Sequence, residues 1–216
     1  MKLHSFVKTV ATMRFDNTFN PYADECPVHD RKGASRFRAE VLSAMLERAS
    51  SEPVEAIWIG RDLGYRGGRR TGMALTDDVH IERHASRWGL KAGRATRGDA
   101  IAERTAAIIW DVLDPISANI FLWNVFPLHP HEQDAPFTNR QHNAAERRAG
   151  EEALTALIAL LRPDRLIAIG NDAQASVQRI AGDIPVYGIR HPSYGGQTEF
   201  VAGINKLYPP RRPSLF

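Results

Sequence analysis

The sequence predicts an α/β fold: a three-layer α/β/α domain around a central four-stranded parallel sheet. Three observations lead there. Four short apolar runs are nearly continuous rather than alternating, as strands buried on both faces read. Amphipathic stretches at helical spacing lie between them. Each run ends in polar or Gly-rich sequence, as at the carboxyl edge of a parallel sheet, where ligands bind.

In chain order, residues 35–49 place Phe37, Val41, Leu42, Met45 and Leu46 at helical spacing. Residues 54–59 are the first strand. Residues 99–113 are helical through Ile101, Thr105, Ile108, Ile109 and Val112. Residues 119–126 are the second strand, rich in aromatic and β-branched side chains. Residues 146–161 form a helix with Leu154, Leu157, Ile158 and Leu161 on its apolar face. Residues 165–169 are the third strand, 173–181 a shorter helix and 184–189 the fourth strand.

The composition fits this fold. The 216 residues are enough for one domain with a real core, and residues 1–216 read as one unit with a loosely attached Pro/Arg-rich tail at 208–216. Hydrophobic residues at 43% and charged residues at 25% exclude a disordered chain. Cys26 is alone, which excludes an intramolecular disulfide and a four-Cys zinc or iron–sulfur site. A reducing cytoplasm is the expected setting. No signal-peptide apolar run or bilayer-length segment is present. The net charge of +3 names no partner, although 23 of the 28 basic residues are Arg. A GC-rich genome explains such an excess, so clustering matters more than the total.

One cluster stands out. Gly60-Arg61-Asp62-Leu63-Gly64-Tyr65-Arg66-Gly67-Gly68-Arg69-Arg70-Thr71-Gly72 follows the first strand. It lacks the Gly-Lys-Ser/Thr of a P-loop and the Gly-x-Gly-x-x-Gly of a dinucleotide fingerprint. Its glycines allow close backbone approach to a polyanion, with Arg61, Arg66, Arg69 and Arg70 supplying charge. Asp62 is its only carboxylate; it orients a water and steadies a cation, or merely pairs with an Arg. Asn124 closes the second strand, and its amide matches the N–H and C=O of a pyrimidine edge or caps a turn. Gly170-Asn171-Asp172 follows the third strand. His191-Pro192-Ser193-Tyr194-Gly195-Gly196 follows the fourth, with an imidazole suited to a developing oxyanion and Ser193 suited to phosphate. His29, His80, His84 and His142 read as surface residues. His129 and His131 lack a third metal ligand. No Gly-x-Ser-x-Gly elbow marks a serine hydrolase.

Together these strand ends resemble the uracil-DNA glycosylase superfamily. The run from Gly60 to Met73 lies without a gap beside the family's Gly-Gln-Asp-Pro-Tyr-His-Gly-Pro-Gly-Gln-Ala-His-Gly-Leu, matching at Gly60, Asp62, Gly68 and Gly72. The strand ending in Asn124 is similar to the family's uracil-reading element. Gly170-Asn171-Asp172-Ala173-Gln174 resembles Gly-Ser-His-Ala-Gln, and His191-Pro192-Ser193 resembles the closing His-Pro-Ser. The resemblance spans residues 56–207 and implies one uracil-DNA glycosylase-like domain.

It also implies roles. Asp62 and His191 become catalytic: Asp62 positions the water and steadies the sugar oxocarbenium, and His191 stabilises charge on uracil O2. Gly60, Arg61, Tyr65, Leu75 and Asn124 become uracil-binding, with Asn124 rejecting cytosine. Arg66, Arg69, Arg70, Asn171, Ser193, Tyr194 and Gln197 become DNA-binding. The implied enzyme is a monomeric, monofunctional base-excision hydrolase without metal or cofactor. It flips deoxyuridine out of single- or double-stranded DNA and releases free uracil.

Departures mark a divergent branch. Leu63-Gly64 replaces the family's Pro-Tyr, whose Tyr blocks the thymine methyl group, leaving Tyr65 to substitute. Leu75 stands where an aromatic would stack on uracil. Tyr194 or Gln197 must serve as the duplex wedge. Two other readings stay open: a protein that traps uracil-DNA with little turnover, and an unrelated α/β hydrolase of nucleotides or sugars.

Overall fold

The computed structural model describes residues 3–209. The chain opens with α1 (Leu3–Thr12), a two-residue strand β1 (Thr18–Phe19) and α2 (Ala34–Ser51). Then come β2 (Ala56–Asp62), a single turn α3 (Gly68–Thr71), α4 (Ile81–Arg87) and α5 (Arg104–Leu113). β3 (Ile120–Phe126) and the short β4 (His129–Pro130) precede α6 (Ala144–Leu161). β5 (Arg165–Ile169), α7 (Asn171–Ile180), β6 (Val186–Ile189) and α8 (Gln197–Leu207) complete it.

The four expected strands form one parallel sheet in the order β3-β2-β5-β6. The runs of β2, β3 and β5 are continuous because both faces are covered, whereas the edge strand β6 is partly exposed. Ile57, Ile59, Phe121, Trp123, Leu166 and Ala168 pack with residues of α1, α2, α6 and α7. Trp58, Leu122, Ile167 and Ile169 pack on the other face with residues of α5 and α8. From β2 the chain moves outward to β3, then crosses back to β5 on the other side of β2. The carboxyl ends of β2 and β5 therefore flank the switch point where a crevice must open.

Some boundaries differ from expectation for local reasons. β2 runs past residue 59 because Gly60 and Asp62 stay in register with Asn124 and Phe126 of β3. Asp62 is thus fixed by the sheet. α5 starts at Arg104, not at 99: the Glu103 N–H donates to Asp77 Oδ2 (2.6 Å) and the Ile101 N–H to Asp78 Oδ2 (3.3 Å), which holds this entry irregular. α1, α4 and α8 were not expected. They bury Phe6, Ile81 and Phe200, apolar positions too sparse to stand out in the sequence. In the expected tail, Tyr208 packs at 6.0 Å from the Trp58 ring with the Arg165 guanidinium 4.7 Å from its own ring centre. Residues 210–216 lie outside the described residues. No helix among the described residues is long and apolar enough to cross a membrane.

A buried arginine anchors the Gly-rich segment. Arg38 of α2 donates to both oxygens of Asp30 (3.0 and 2.9 Å) and to the carbonyls of Pro21 and Asp24. Gly72, at φ 73°, lies against its aliphatic stem, and Tyr22 donates to the Gly72 carbonyl at 2.6 Å.

Gly150 of α6 is a second close approach. A Cβ there would collide with the Val125 carbonyl and lie 3.0 Å from Phe126 Cα. Gly→Ala inside a helix ordinarily stabilises. Here Gly150→Ala should instead lower stability by about 1–3 kcal/mol, because backbone must move. Gly93→Ala, whose Cβ would find only Glu82 Oε1 at 3.9 Å, should be near neutral in the same denaturant titration.

Candidate active site

A cavity of about 540 Å³ opens where the topology requires it, within the usual size of small-molecule sites. Its walls include Gly60–Gly64 at the carboxyl end of β2, Leu75, Glu103 and Thr105 at the start of α5, Gly170–Ala173 after β5, and His191, Ser193 and Tyr194 after β6.

Asp62 is held from two sides. Oδ2 accepts from Arg61 Nε at 2.7 Å, and Oδ1 accepts from His142 Nδ1. Arg61 also donates to Asp172 Oδ2 at 3.0 Å, so it spans from β2 to α7. His142 precedes α6. It is fixed by the capping box of Asn143 and Glu146 and by an edge-to-face contact with Phe126. Glu146 also grips Arg140, which lines the cavity, through contacts of 2.6 and 2.7 Å. His142 does not line the cavity; it supports Asp62 from behind. Two donors on one carboxylate fix its orientation.

Asn124 is 1% exposed, and no group among the described residues donates to its Oδ1. An orphaned buried acceptor costs about 1–3 kcal/mol, so it asks for a donor from elsewhere. Gly60 is its sheet neighbour. A Cβ on Gly60 would collide with that oxygen and lie 2.9 Å from Leu75 Cδ2. Gly60 and Leu75 line the cavity, and Asn124 lies in the layer behind them. Leu75 takes a left-handed φ of 55°, and its carbonyl accepts from Trp110 Nε1 at 3.2 Å.

His191 has a defined tautomer. The Ser193 N–H must donate to Nδ1, at 3.1 Å, with the Ser193 hydroxyl 2.8 Å from the same atom. Nδ1 is therefore the acceptor and Nε2 carries the proton. Burial, with Arg61 and Arg190 adding to it, lowers the pKa, favouring the neutral ring. Gly170, at φ 94°, makes room: a Cβ there would come 3.3 Å from His191 Cβ.

Asn171, Ser193 and Tyr194 of the anticipated set join Gly60, Arg61, Asp62, Leu75 and His191 around the cavity, and Asp172 lines it as well. Tyr194 is 99% exposed, with φ 50°. Gln197 is exposed at the first turn of α8, away from the lining. Tyr65 does not line the cavity either. Its N–H is tied to Asn139 Oδ1 at 2.9 Å, its ring carries the Arg66 guanidinium, and Leu63 and Gly64 occupy the wall.

Arg69 and Arg70 correct the expectation of phosphate contacts. α3 turns both inward. Arg70 pairs with buried Asp78 at 2.7 Å. Arg69 lies 3.8 Å from the Phe19 ring centre and donates to His129 Nδ1 at 3.1 Å. Arg66 alone of the three is exposed. The supposed surface histidines are also corrected. His80 donates to Asp77 Oδ1 at 2.6 Å and stacks on Trp110. His84 meets Thr76, and burial lowers its pKa to about 3. His142 supports Asp62, and His29 is half-buried against Phe137. Among the described residues no group of three or more His, Cys, Asp or Glu could hold a metal.

Sequence reasoning missed His142 and Glu103. The Glu103 carboxyl faces the cavity beside Gly64 and Gly67, its pKa raised by burial and then by Asp77. No local pattern marks either residue: one sits in an irregular loop, the other at the edge of an amphipathic run.

A family model described as the uracil DNA glycosylase superfamily matches residues 54–207, more than half of the chain. Among solved structures, SMUG2 of Pedobacter heparinus superposes with a TM-score of 0.58 at 12% identity, covering 96% of this chain and 97% of that one. That likeness concerns the fold. No curated protein sequence matches.

The His191 assignment is directly testable. Long-range ¹H–¹⁵N correlation spectra should show Nε2 protonated and Nδ1 bare, with titration below the ordinary imidazole value of 6.5. A protonated Nδ1 in the neutral ring, or a midpoint above that value, would refute it.

Proposed function

The chain belongs to the uracil DNA glycosylase superfamily, and from that premise we propose that it hydrolyses the N-glycosidic bond of deoxyuridine in DNA. Free uracil and an abasic site are the products. What supports this reading most is one cavity that gathers a carboxylate gripped by two donors and a neutral imidazole with a single N–H. Family membership sets aside the unrelated hydrolase.

The chemistry follows from these groups. Uracil is flipped out of the stack into the cavity. As the C1′–N1 bond breaks, its electron pair passes to the base and the sugar becomes an oxocarbenium. The Asp62 carboxylate faces that cation. The His191 Nε2–H donates to uracil O2, where negative charge collects. Water then adds to C1′ and its surplus proton neutralises the uracil anion. Asn124 Oδ1, buried without a donor, accepts from uracil N3–H while its amide N–H meets O4. Cytosine offers a lone pair at N3 and an amine at C4, so the pattern is reversed. For the amide to reach a base, the Leu75 side chain must swing aside. Tyr194 at the rim is the element suited to fill the vacated stack.

His142 acts in this scheme as a positioning residue. It reaches Asp62 and not the cavity, so it works by aiming the carboxylate. Asn can supply a donor near the Nδ1 position and Phe cannot. His142→Phe should lower the single-turnover rate about tenfold or more with little change in DNA affinity, and His142→Asn should recover much of that rate. Equal rates for the two variants would remove His142 from the mechanism.

Uracil-containing single-stranded DNA on a denaturing gel tests the activity. Wild type should give alkali-cleavable product. Asp62→Asn and His191→Ala should each slow its formation by about 10²–10³-fold. A stable shifted band without cleavable product would mean that the protein traps its substrate. Because the neutral imidazole is the donor and its pKa is lowered, the rate should hold as pH rises through 7 and fall only on the acid side. A rate that falls as pH rises from 6 to 8 would contradict the assignment.

A further inference from the structure

We propose that Glu103 is a further catalytic residue, which takes the proton of the attacking water and passes it to the departing uracil. The proposal rests on the glycosylase reading and supplies the base that the scheme above leaves unnamed. The resemblance gives the water to Asp62. Among the described residues that line the cavity, however, only Glu103 is free to take the water's proton.

The elimination runs through three carboxylates and one imidazole. Both oxygens of Asp62 already accept, from Arg61 Nε at 2.7 Å and from His142 Nδ1, which keeps its charge aimed at the sugar cation. Asp172 is half-exposed and paired with Arg61 at 3.0 Å. His191 Nδ1 accepts from the Ser193 N–H at 3.1 Å, and its Nε2 already carries a proton. No described residue donates to the Glu103 carboxyl, and Arg66 acts on it only through space. Its lone pairs are unclaimed.

Its place suits the task. The Glu103 N–H donates to the buried Asp77 carboxylate at 2.6 Å, which fixes the backbone. A Cβ on Gly64 would lie 3.3 Å from Oε1, so the carboxyl stands beside the segment that carries Asp62. Two residues beyond Glu103, the Thr105 hydroxyl lies 3.5 Å from that of Ser193, the residue that fixes the His191 ring. Glu103 is thus set in the wall between the Asp62 and His191 segments. Burial and then Asp77 raise its pKa, against Arg66, which makes the ionised form a better proton acceptor. Two carboxylates in such unlike settings divide into a charge stabiliser and a proton carrier.

The step balances. The C1′–N1 electron pair leaves with uracil, and the water oxygen bonds to C1′. One water proton passes to the Glu103 carboxylate and then to the uracil anion. The products are the abasic sugar, neutral uracil and Glu103 in its starting form. Where water addition is slowed, the sugar cation recombines with uracil, and release falls.

Azide tests this, because it attacks C1′ as an anion with no proton to lose. Wild type, Glu103→Gln, Glu103→Ala and Asp62→Asn are compared in single turnover on uracil-containing single-stranded DNA, with and without sodium azide. Glu103→Gln should slow uracil release by about 10²-fold with DNA affinity retained. Azide should speed release by both Glu103 variants and leave an azide bonded to C1′, seen by mass spectrometry. Asp62→Asn, which lacks the charge that faces the cation, should gain nothing from it. A Glu103→Gln variant as fast as wild type, or slow Glu103 variants that azide fails to speed, would overturn this proposal and leave the glycosylase reading intact. A wild type that releases no uracil would overturn both.

Discussion

The constraint on which the site depends is the register of β2 between two parallel neighbours. That register sets Gly60 opposite Asn124 and Asp62 opposite Phe126, on the last paired rungs of the sheet. Only glycine fits opposite the Asn124 amide, because a Cβ would strike Oδ1. A slip of one residue would turn every side chain of β2 to the other face and carry Asp62 out of the crevice. The cavity, the carboxylate and the buried amide therefore share one origin, in the pairing of three strands.

A second layer holds the loop that leaves β2. Arg38 with Asp30, Arg70 with Asp78, and Asp77 with His80 and the Glu103 backbone form a buried polar frame under the glycine-rich segment. Buried ion pairs add little net stability over apolar residues of the same volume. Their value here is positional: Asp77, for one, holds the Glu103 backbone at the cavity wall. Four arginines in one loop thus divide their work. Arg61 grips the candidate catalytic carboxylate, Arg66 faces solvent, and Arg69 and Arg70 build the frame.

The sheet was legible because strands buried on both faces leave continuous apolar runs, and residues 165–169 are a strand to the residue. The strand ends were legible because parallel topology sends them to one edge, which is why Asp62, Asn171, His191 and Ser193 surround one cavity. What stayed hidden depends on tertiary direction. Nothing local says that Arg69 and Arg70 turn inward, because a four-residue helix leaves no periodicity. Nothing local links His142 to Asp62 across 80 residues. Tyr65 is expected in the pocket by its position in the motif, yet its N–H is tied to the Asn139 side chain and it does not line the cavity. Glu103 sits at the foot of a run that reads as helix, while its amide is drawn off by Asp77.

The gripped carboxylate and the neutral imidazole together should release uracil catalytically. The most direct measurement is the amount of free uracil, by mass spectrometry, set free from an excess of uracil-containing DNA over protein. Uracil well beyond one equivalent per protein is expected, with abasic sites formed in equal number. No free uracil, or release that stops at one equivalent with the DNA still bound to the protein, would contradict it.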